Sequence, residues 1–334
     1  MAMCTYQGER FLERQLASIA AQSRLPDELV VRDDGSTDAT VRLLEEFAAQ
    51  APFPVEVGVN PSRRGPCLNF EGAMAACSGD AVALCDQDDE WAPARLARLE
   101  EELEGPRRPG LVFSDATVID SSSRPVGLTA WESVGFGAPD VARVNGGHAF
   151  EVLSERQRAH GGTVTGATLA FRSELRDLVL PLPPWMAEPR PALLHDAWTA
   201  LLAAAVGPVT AVEDRLVGYR RHDEQAAGLP ASPRTLAPLP ALVLGRAKLS
   251  SVVDRQSRQL QWSSAVLDRL RAAGGPAAGA AVADLEQRVE HLRARLGLPS
   301  GRLRRVPAVV REMATGRYRA YSSGIRSVAR DLAR

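Results

Sequence analysis

The residues with the clearest capacity for chemistry are Asp86, Asp88, Asp89 and Glu90, four acids in five positions directly after the apolar run Ala81-Val82-Ala83-Leu84. An apolar run of that length ended abruptly by acids reads as a buried strand whose C-terminal tip carries carboxylates. In open α/β sheets that tip is where ligands bind. Carboxylates this close repel one another unless something positive lies between them, and a hard divalent cation is the usual answer. The alternative is an acidic turn leading into a helix, whose first turn also favours Asp and Glu. A second acidic loop, Asp33-Asp34-Gly35-Ser36-Thr37-Asp38, follows the apolar strand Leu29-Val30-Val31. Gly35 permits a tight turn there and Ser36 or Thr37 can cap the next helix, yet two adjacent aspartates exceed what a turn needs. A carboxylate at this tip could accept from a base N–H or a ribose hydroxyl. Two acidic strand tips point to one binding crevice rather than two coincidental turns.

The elements that must position these acids alternate between short apolar runs and helical periodicity, the pattern of βα units around a mainly parallel sheet. Residues 1–5 read as a strand, 9–21 as a helix with Phe11, Leu12, Leu16, Ile19 and Ala20 on one face, and 38–50 as a helix using Val41, Leu44, Phe47 and Ala48. Val55, Val57 and Val59 alternate as a strand, 67–77 and 93–103 read as helices, and Leu111-Val112-Phe113 as a strand ending at Ser114-Asp115. Regularity fades from Ser121 to Gly162, which reads as long loops around a site. Thr163 to Arg172 reads as a strand, His195 to Val206 as a helix, and Val209 to Arg220 as one or two short strands. Past Leu229 the pattern is helical. Val282, Leu285, Val289, Leu292 and Leu296 form an amphipathic stripe suited to core burial or to pairing of helices in a homodimer.

Composition narrows the function classes. A net charge of -1 over 334 residues argues against a dedicated nucleic-acid binder. The charge is uneven: residues 302–334 hold nine arginines against Glu312 and Asp331. Cys4, Cys67, Cys77 and Cys85 show no CxxC pairing and no zinc spacing with the histidines, which fits small core thiols in a reducing, cytoplasmic compartment. No signal-type or membrane-spanning apolar run is present.

Taken together, the motifs carry a family resemblance. Cys4-Thr5-Tyr6-Gln7-Gly8-Glu9-Arg10-Phe11-Leu12, followed by Gln15-Leu16-Ala17-Ser18-Ile19 and Gln22, resembles the opening of the family 2 glycosyltransferases. Val31 to Asp38 resembles their nucleotide-binding loop, and Asp86-Gln87-Asp88-Asp89-Glu90-Trp91 their DxD motif. The ordered set spans roughly residues 1–235 and is most similar to the bacterial rhamnosyltransferase-like enzymes of cell-surface glycan assembly. By that resemblance the first strand is already under way at Met1, so the native start is expected upstream. The resemblance implies an α/β GT-A fold with a nucleotide-sugar half (1–120), an acceptor half (121–235) and a helical C-terminal region with a basic tail (236–334).

The resemblance also assigns residues. Thr5, Tyr6 and Glu9 would line the nucleotide pocket, Asp33 or Asp34 would read the base, and Asp86, with Gln87 beside it, would touch the ribose or the metal. Asp88 would be the main ligand of Mg²⁺ or Mn²⁺, and oxygen ligands suit those ions over zinc. His195-Asp196-Ala197-Trp198 resembles the acceptor-side motif HDWW, making Asp196 the candidate general base; a helix cap is its alternative role. Thr165-Gly166-Ala167-Thr168 resembles the segment beneath the donor sugar. Tyr219-Arg220-Arg221-His222 resembles the YRxH segment, with His222 at the metal and Arg220 and Arg221 available to phosphate oxygens. Trp91, Trp198 and His195 are candidates for the acceptor side, although tryptophan is as often a core anchor. The donor expected is dTDP-rhamnose or a UDP-sugar, and the acceptor a glycan or lipid-linked hydroxyl. The basic tail suits either contact with an anionic membrane at the inner face or a solvated helix. A nucleotidyltransferase would need a glycine-rich basic phosphate loop, which residues 5–10 lack. A non-catalytic glycan-binding protein on the same fold is a further alternative, against which Asp88 and Asp196 speak.

Overall fold

The computed structural model describes residues 1–160, 162–189, 191–223, 225 and 246–333. The chain forms two compact units, Met1–Leu236 and Ala237–Arg334. The boundary expected at residue 235 lies outside the described residues.

In the first unit the described strands are β1 (Ala2–Thr5), β2 (Leu29–Asp33), β3 (Val55–Val59), β4 (Ala81–Cys85), β5 (Glu90–Trp91), β6 (Leu111–Ile119), β7 (Pro125–Thr129), β8 (Leu169–Arg172) and β9 (Val209–Arg220). They form one sheet in the order β3-β2-β1-β4-β8-β6-β9-β5, with β7 paired to β6. β1 to β4 pair in parallel, β8 enters antiparallel between β4 and β6, and β9 runs parallel to β6. Flanking helices are α1 (Leu12–Ala20), α2 (Thr40–Ala48), α3 (Pro66–Ala76), α4 (Arg95–Glu104), α5 (Ala130–Val134), α6 (Ala138–Arg143), α7 (Ala149–His160), α8 (Arg176–Val179) and α9 (His195–Val206). The mixed sheet between helices is the α/β architecture that the alternating pattern implies.

The core explains why these segments fold as they do. Met3, Val31 and Leu84 are fully buried, as strands covered on both faces must be. α1 turns Leu12, Leu16 and Ile19 inward and places Gln15 against the Cys85 thiol, Nε2 to Sγ 2.9 Å. The four cysteines are free and buried.

Three expectations change. The strand from Leu111 does not stop at Ser114-Asp115 but runs to Ile119. Asp115 is tolerated inside it because its Oδ1 accepts from the Ala116 and Trp131 N–H groups, at 2.8 and 3.0 Å. The span 121–162, expected as loops, contains β7, α5, α6 and α7. α5 starts in a reciprocal cap between Thr129 and Glu132, and Trp131 and Phe136 pack on Phe113. α5 and α6 are too short to display a periodic stripe. β8 is likewise shorter than expected, because Gly166–Thr168 form a tight turn before it.

The second unit comprises α10 (Arg246–Ala273), α11 (Gly279–Leu296), α12 (Arg302–Ala314), α13 (Arg317–Tyr321) and α14 (Ile325–Ala333). α10 packs on α11, and Leu285, Val289 and Leu292 of the expected stripe are buried. Val309, Tyr318 and Val328 join α12, α13 and α14 in a small apolar core.

Candidate active site

The register of the parallel strands sets the site. Thr5 lies opposite Asp33, and Met3 opposite Cys85, so β1, β2 and β4 end at one edge and release Tyr6, Asp34 and Asp86 there. Both acidic loops therefore share the carboxyl edge of one sheet, where open α/β folds bind ligands.

The two loops use their acids differently. Asp33 accepts from the Gly35 and Ser36 N–H groups (3.1 and 2.7 Å) and from the Ser36 and Thr5 hydroxyls (2.6 and 2.8 Å). A carboxylate offers about four lone-pair sites, so Asp33 is saturated by its own loop and has nothing left for a base. Asp34 accepts from Asn60 Nδ2 (2.9 Å) and from the Arg64 and Gly65 N–H groups (2.7 and 2.8 Å). It ties the end of β3 to the start of α3 and retains room for one more donor. Glu9, expected in the nucleotide pocket, accepts from the Ala39 N–H at 2.9 Å beside the start of α2, a position where negative charge is favoured. Tyr6 and Gln87 clasp the tips of β1 and β4: the Tyr6 N–H donates to Gln87 Oε1 (2.7 Å) and Gln87 Nε2 to the Tyr6 carbonyl (2.9 Å). Gly8 is required beneath that clasp, since a Cβ there would lie 2.4 Å from Gln87 Oε1. The Arg63 guanidinium covers the Tyr6 ring at 4.0 Å.

The acids after β4 are less satisfied. Burial, then the charges of Asp88 and Asp196, pushes Asp86 up to about 7, with only Arg95 opposing. Asp89 is buried and raised well above the usual carboxylate range by burial and by Asp88 and Asp86. Its Oδ1 accepts from the Arg220 N–H at 2.8 Å, while its Oδ2 has no partner among the described residues. Asp88 Oδ2 meets His222 Nε2 at 2.8 Å. His222 in turn packs on Phe11, ring centroids 4.8 Å apart. Among the described residues no group of three or more His, Cys, Asp or Glu side chains is arranged to hold a metal ion; Asp88 and His222 form a pair.

Asp196 arrives from the far side of the chain. It lies in the first turn of α9, where its Oδ1 accepts from the Ala197 N–H (2.6 Å) and its Oδ2 from the Gly166 N–H (3.1 Å). Leu194, not Asp196, occupies the cap position. Gly166 separates the two carboxylates: a Cβ on it would sit 3.9 Å from Asp86 Oδ2 and 3.1 Å from His195 Nε2. His195 is buried and stacked on Phe70, centroids 4.2 Å apart, and neither ring nitrogen has a partner among the described residues. Burial holds its pKa below the ordinary histidine value. The neighbouring Thr165 Oγ1 is also buried without a partner among the described residues.

Three expected contacts take other roles. Arg220 has a fully buried side chain that donates to the Asp88 carbonyl (2.7 Å), the Asp120 carbonyl (2.9 Å) and Ser123 Oγ (3.1 Å), and pairs with Glu90 at 2.5 Å. It braces the acidic loop from inside instead of facing a phosphate. Trp198 is fully buried and donates from Nε1 to the Val179 carbonyl at 2.9 Å, and Trp91 is buried in the core of the sheet. Neither tryptophan faces an acceptor, because each belongs to the packing that fixes its acidic neighbour.

The residue that sequence reasoning missed is Arg95. It is fully buried beneath the acids, stacked over Trp91 at 3.6 Å and bonded to the Ala167 carbonyl at 2.6 Å. Burial pulls its pKa down to about 10. Its position was the available signal: α4 begins at Arg95, where the helix dipole disfavours a cation.

An open sheet with acidic loops at its carboxyl edge, an antiparallel strand beside β4 and an acid returned by α9 defines a GT-A fold. Residues 1–131 match the model of glycosyl transferase family 2. A glycosyltransferase of Nostoc sp., itself uncharacterised, is 26% identical over 222 residues, covering 65% of this chain and 62% of that protein. The dTDP-rhamnosyl transferase RfbG of Shigella flexneri is 35% identical over 95 residues, covering 27% of this chain and 32% of that one. The chain thus spans less than two thirds of these relatives. Among solved structures, residues 1–349 of TarS from S. aureus superpose with a TM-score of 0.51 at 15% identity, over 88% of this chain and 71% of that one. At that identity the likeness is one of fold.

Proposed function

We propose that this protein is an inverting, divalent-metal-dependent glycosyltransferase that moves a sugar from a nucleoside-diphosphate donor to a hydroxyl of a cell-surface glycan or lipid-linked acceptor. One observation carries the reading: Asp196 and Asp86, distant in sequence, both lie against the single residue Gly166 at the carboxyl edge of the sheet. A base beside a charge-accepting site is what direct displacement at an anomeric carbon needs. The acceptor hydroxyl attacks that carbon as its bond to the diphosphate oxygen breaks, and its proton passes to the Asp196 carboxylate. The Gly166 N–H holds Asp196 Oδ2 in place, so the base is oriented before the acceptor arrives.

Three side chains speak for a divalent cation. Burial, and after it repulsion from Asp88 and Asp196, raises Asp86, and a cation relieves both; Asp88 with His222 offers one oxygen and one nitrogen donor at its side. Asp88 and His222 would hold Mg²⁺ or Mn²⁺, with Asp86 adjacent, and an imidazole donor favours Mn²⁺. When bound, the ion supplies positive charge to the departing diphosphate. The relation to the Shigella rhamnosyl transferase makes dTDP-rhamnose the first donor to test and UDP-sugars the second. A lipid-linked acceptor would place the reaction at the inner face of the membrane.

A thermal-shift screen of nucleoside-diphosphate sugars with and without Mn²⁺ tests the donor, because a ligand that binds only the native form raises Tm. Absence of any Mn²⁺-assisted shift across dTDP-, UDP- and GDP-sugars would sink the proposal.

A further inference from the structure

In α12, Leu303, Val306, Val310 and Met313 recur at intervals of three, four and three residues and so share one face. All four are exposed, Leu303 by 88% and Val310 by 56%. The same helix turns Arg305, Val309 and Glu312 inward, so its packing requirement within the unit is met by a different face. With about 3.6 residues per turn, Arg302 borders the apolar stripe on one side, while Arg311 and Arg304 lie further round the helix on the other; all three are exposed.

The acids of this segment are sorted away from that surface. Glu312 is buried against His291 (2.7 Å) and Arg317 (2.7 Å). Asp331 is buried against Arg295 (2.7 Å) and the Tyr318 hydroxyl (2.8 Å). Residues 302–333 therefore present Arg302, Arg304, Arg311, Arg319 and Arg326 to solvent with no exposed carboxylate of their own. Ordinary soluble surfaces intersperse both signs and avoid aligned apolar residues.

We propose that this face of α12 docks the protein on an anionic phospholipid bilayer, with Leu303, Val306, Val310 and Met313 entering the headgroup boundary and the flanking arginines reaching lipid phosphates. Arginine stems lie along apolar surface while their heads stay at the interface, and cationic residues beside an apolar stripe are the chemistry of interfacial binding. Charge separates this occupant from a second copy of the chain. A two-fold contact through the stripe would bring its arginines together with no acid from the segment to pair them. The inference stands independently of glycosyl transfer.

Sedimentation of the full chain with vesicles of phosphatidylcholine alone, or mixed with phosphatidylglycerol, tests it. Partition should require the anionic lipid and weaken as salt rises. Leu303→Ser combined with Val310→Ser, and separately Arg302→Glu with Arg304→Glu and Arg311→Glu, should each lower the partition coefficient by roughly tenfold or more. These side chains are exposed, so Tm and donor-induced Tm shifts should match the wild type. No partition of the wild type into anionic vesicles, or equal partition of both variants, overturns the proposal. So does light scattering that shows a wild-type dimer split by the Leu303→Ser/Val310→Ser change.

Discussion

The two units treat their buried acids in opposite ways. In the first, Asp86, Asp88, Asp89 and Asp196 gather at one edge with Arg95 beneath them, and burial and mutual repulsion raise Asp86 and Asp89. In the second, each buried acid is matched: Asp331 by Arg295 and Tyr318, Glu312 by His291 and Arg317. The second arrangement holds helices together. The first is electrostatically unfinished and leaves a buried Asp89 oxygen without a partner among the described residues. Imbalance of that kind marks a place built for a charged ligand, whereas a balanced buried pair is a matter of architecture.

The largest effect that would sharpen this comparison is Asp196→Asn. Turnover should fall by about 10²- to 10⁴-fold, the usual contribution of a general base, while donor-induced Tm shifts persist. Nucleoside diphosphate release at the wild-type rate would remove Asp196 from the mechanism. Breaking the balanced site should cost stability instead. Asp331→Ala removes the carboxylate that balances a buried Arg295 and should lower unfolding free energy by about 3–5 kcal/mol, read from urea denaturation, with donor binding intact.

Gly166→Ala should have a smaller effect, about 1 kcal/mol of overpacking, because its Cβ would stand 3.1 Å from His195 Nε2. Turnover should drop more than Tm does, and an unchanged kcat would show that the junction tolerates a side chain.

The subtlest test is pH. Asp86 is raised from 3.8 to about 7 in the folded metal-free protein, so its folded form holds a proton that the unfolded chain has already lost. Its contribution is complete below the unfolded pKa and fades as pH climbs toward 7. His291 is lowered from 6.5 by burial, so the unfolded chain binds its proton first and that contribution is lost as pH falls below 6.5. Hydrogen exchange between pH 5 and 7 should thus show opposite trends in the two units, and Mn²⁺ should flatten the first alone. Parallel trends would contradict the contrast.

Much of the fold was legible because βα units write themselves into local pattern. The apolar runs at Leu29-Val30-Val31 and Ala81 to Leu84, and the helix at His195–Val206, each need only a few neighbours to be recognised. The span 121–162 was not legible, since α5 is held by packing of Trp131 on Phe113 and by a cap, not by a repeating stripe. Within the site, residue type announced the acids but not their duties. Asp33 and Asp88 look alike in sequence, yet one is saturated by its own loop and the other faces His222.

From the amino-acid order alone came the alternation of strands and helices and the two acidic tips, which depend on short-range spacing, while the candidate base came from the resemblance of residues 195–198 to a family motif. Which carboxylates remain short of partners, that Arg220, Trp91 and Trp198 point inward, and that Gly166 leaves little room for a side chain beside His195 were settled by tertiary packing. Hydrogen-bond saturation and burial are properties of groups brought together from distant parts of the chain, and local spacing carries no record of them.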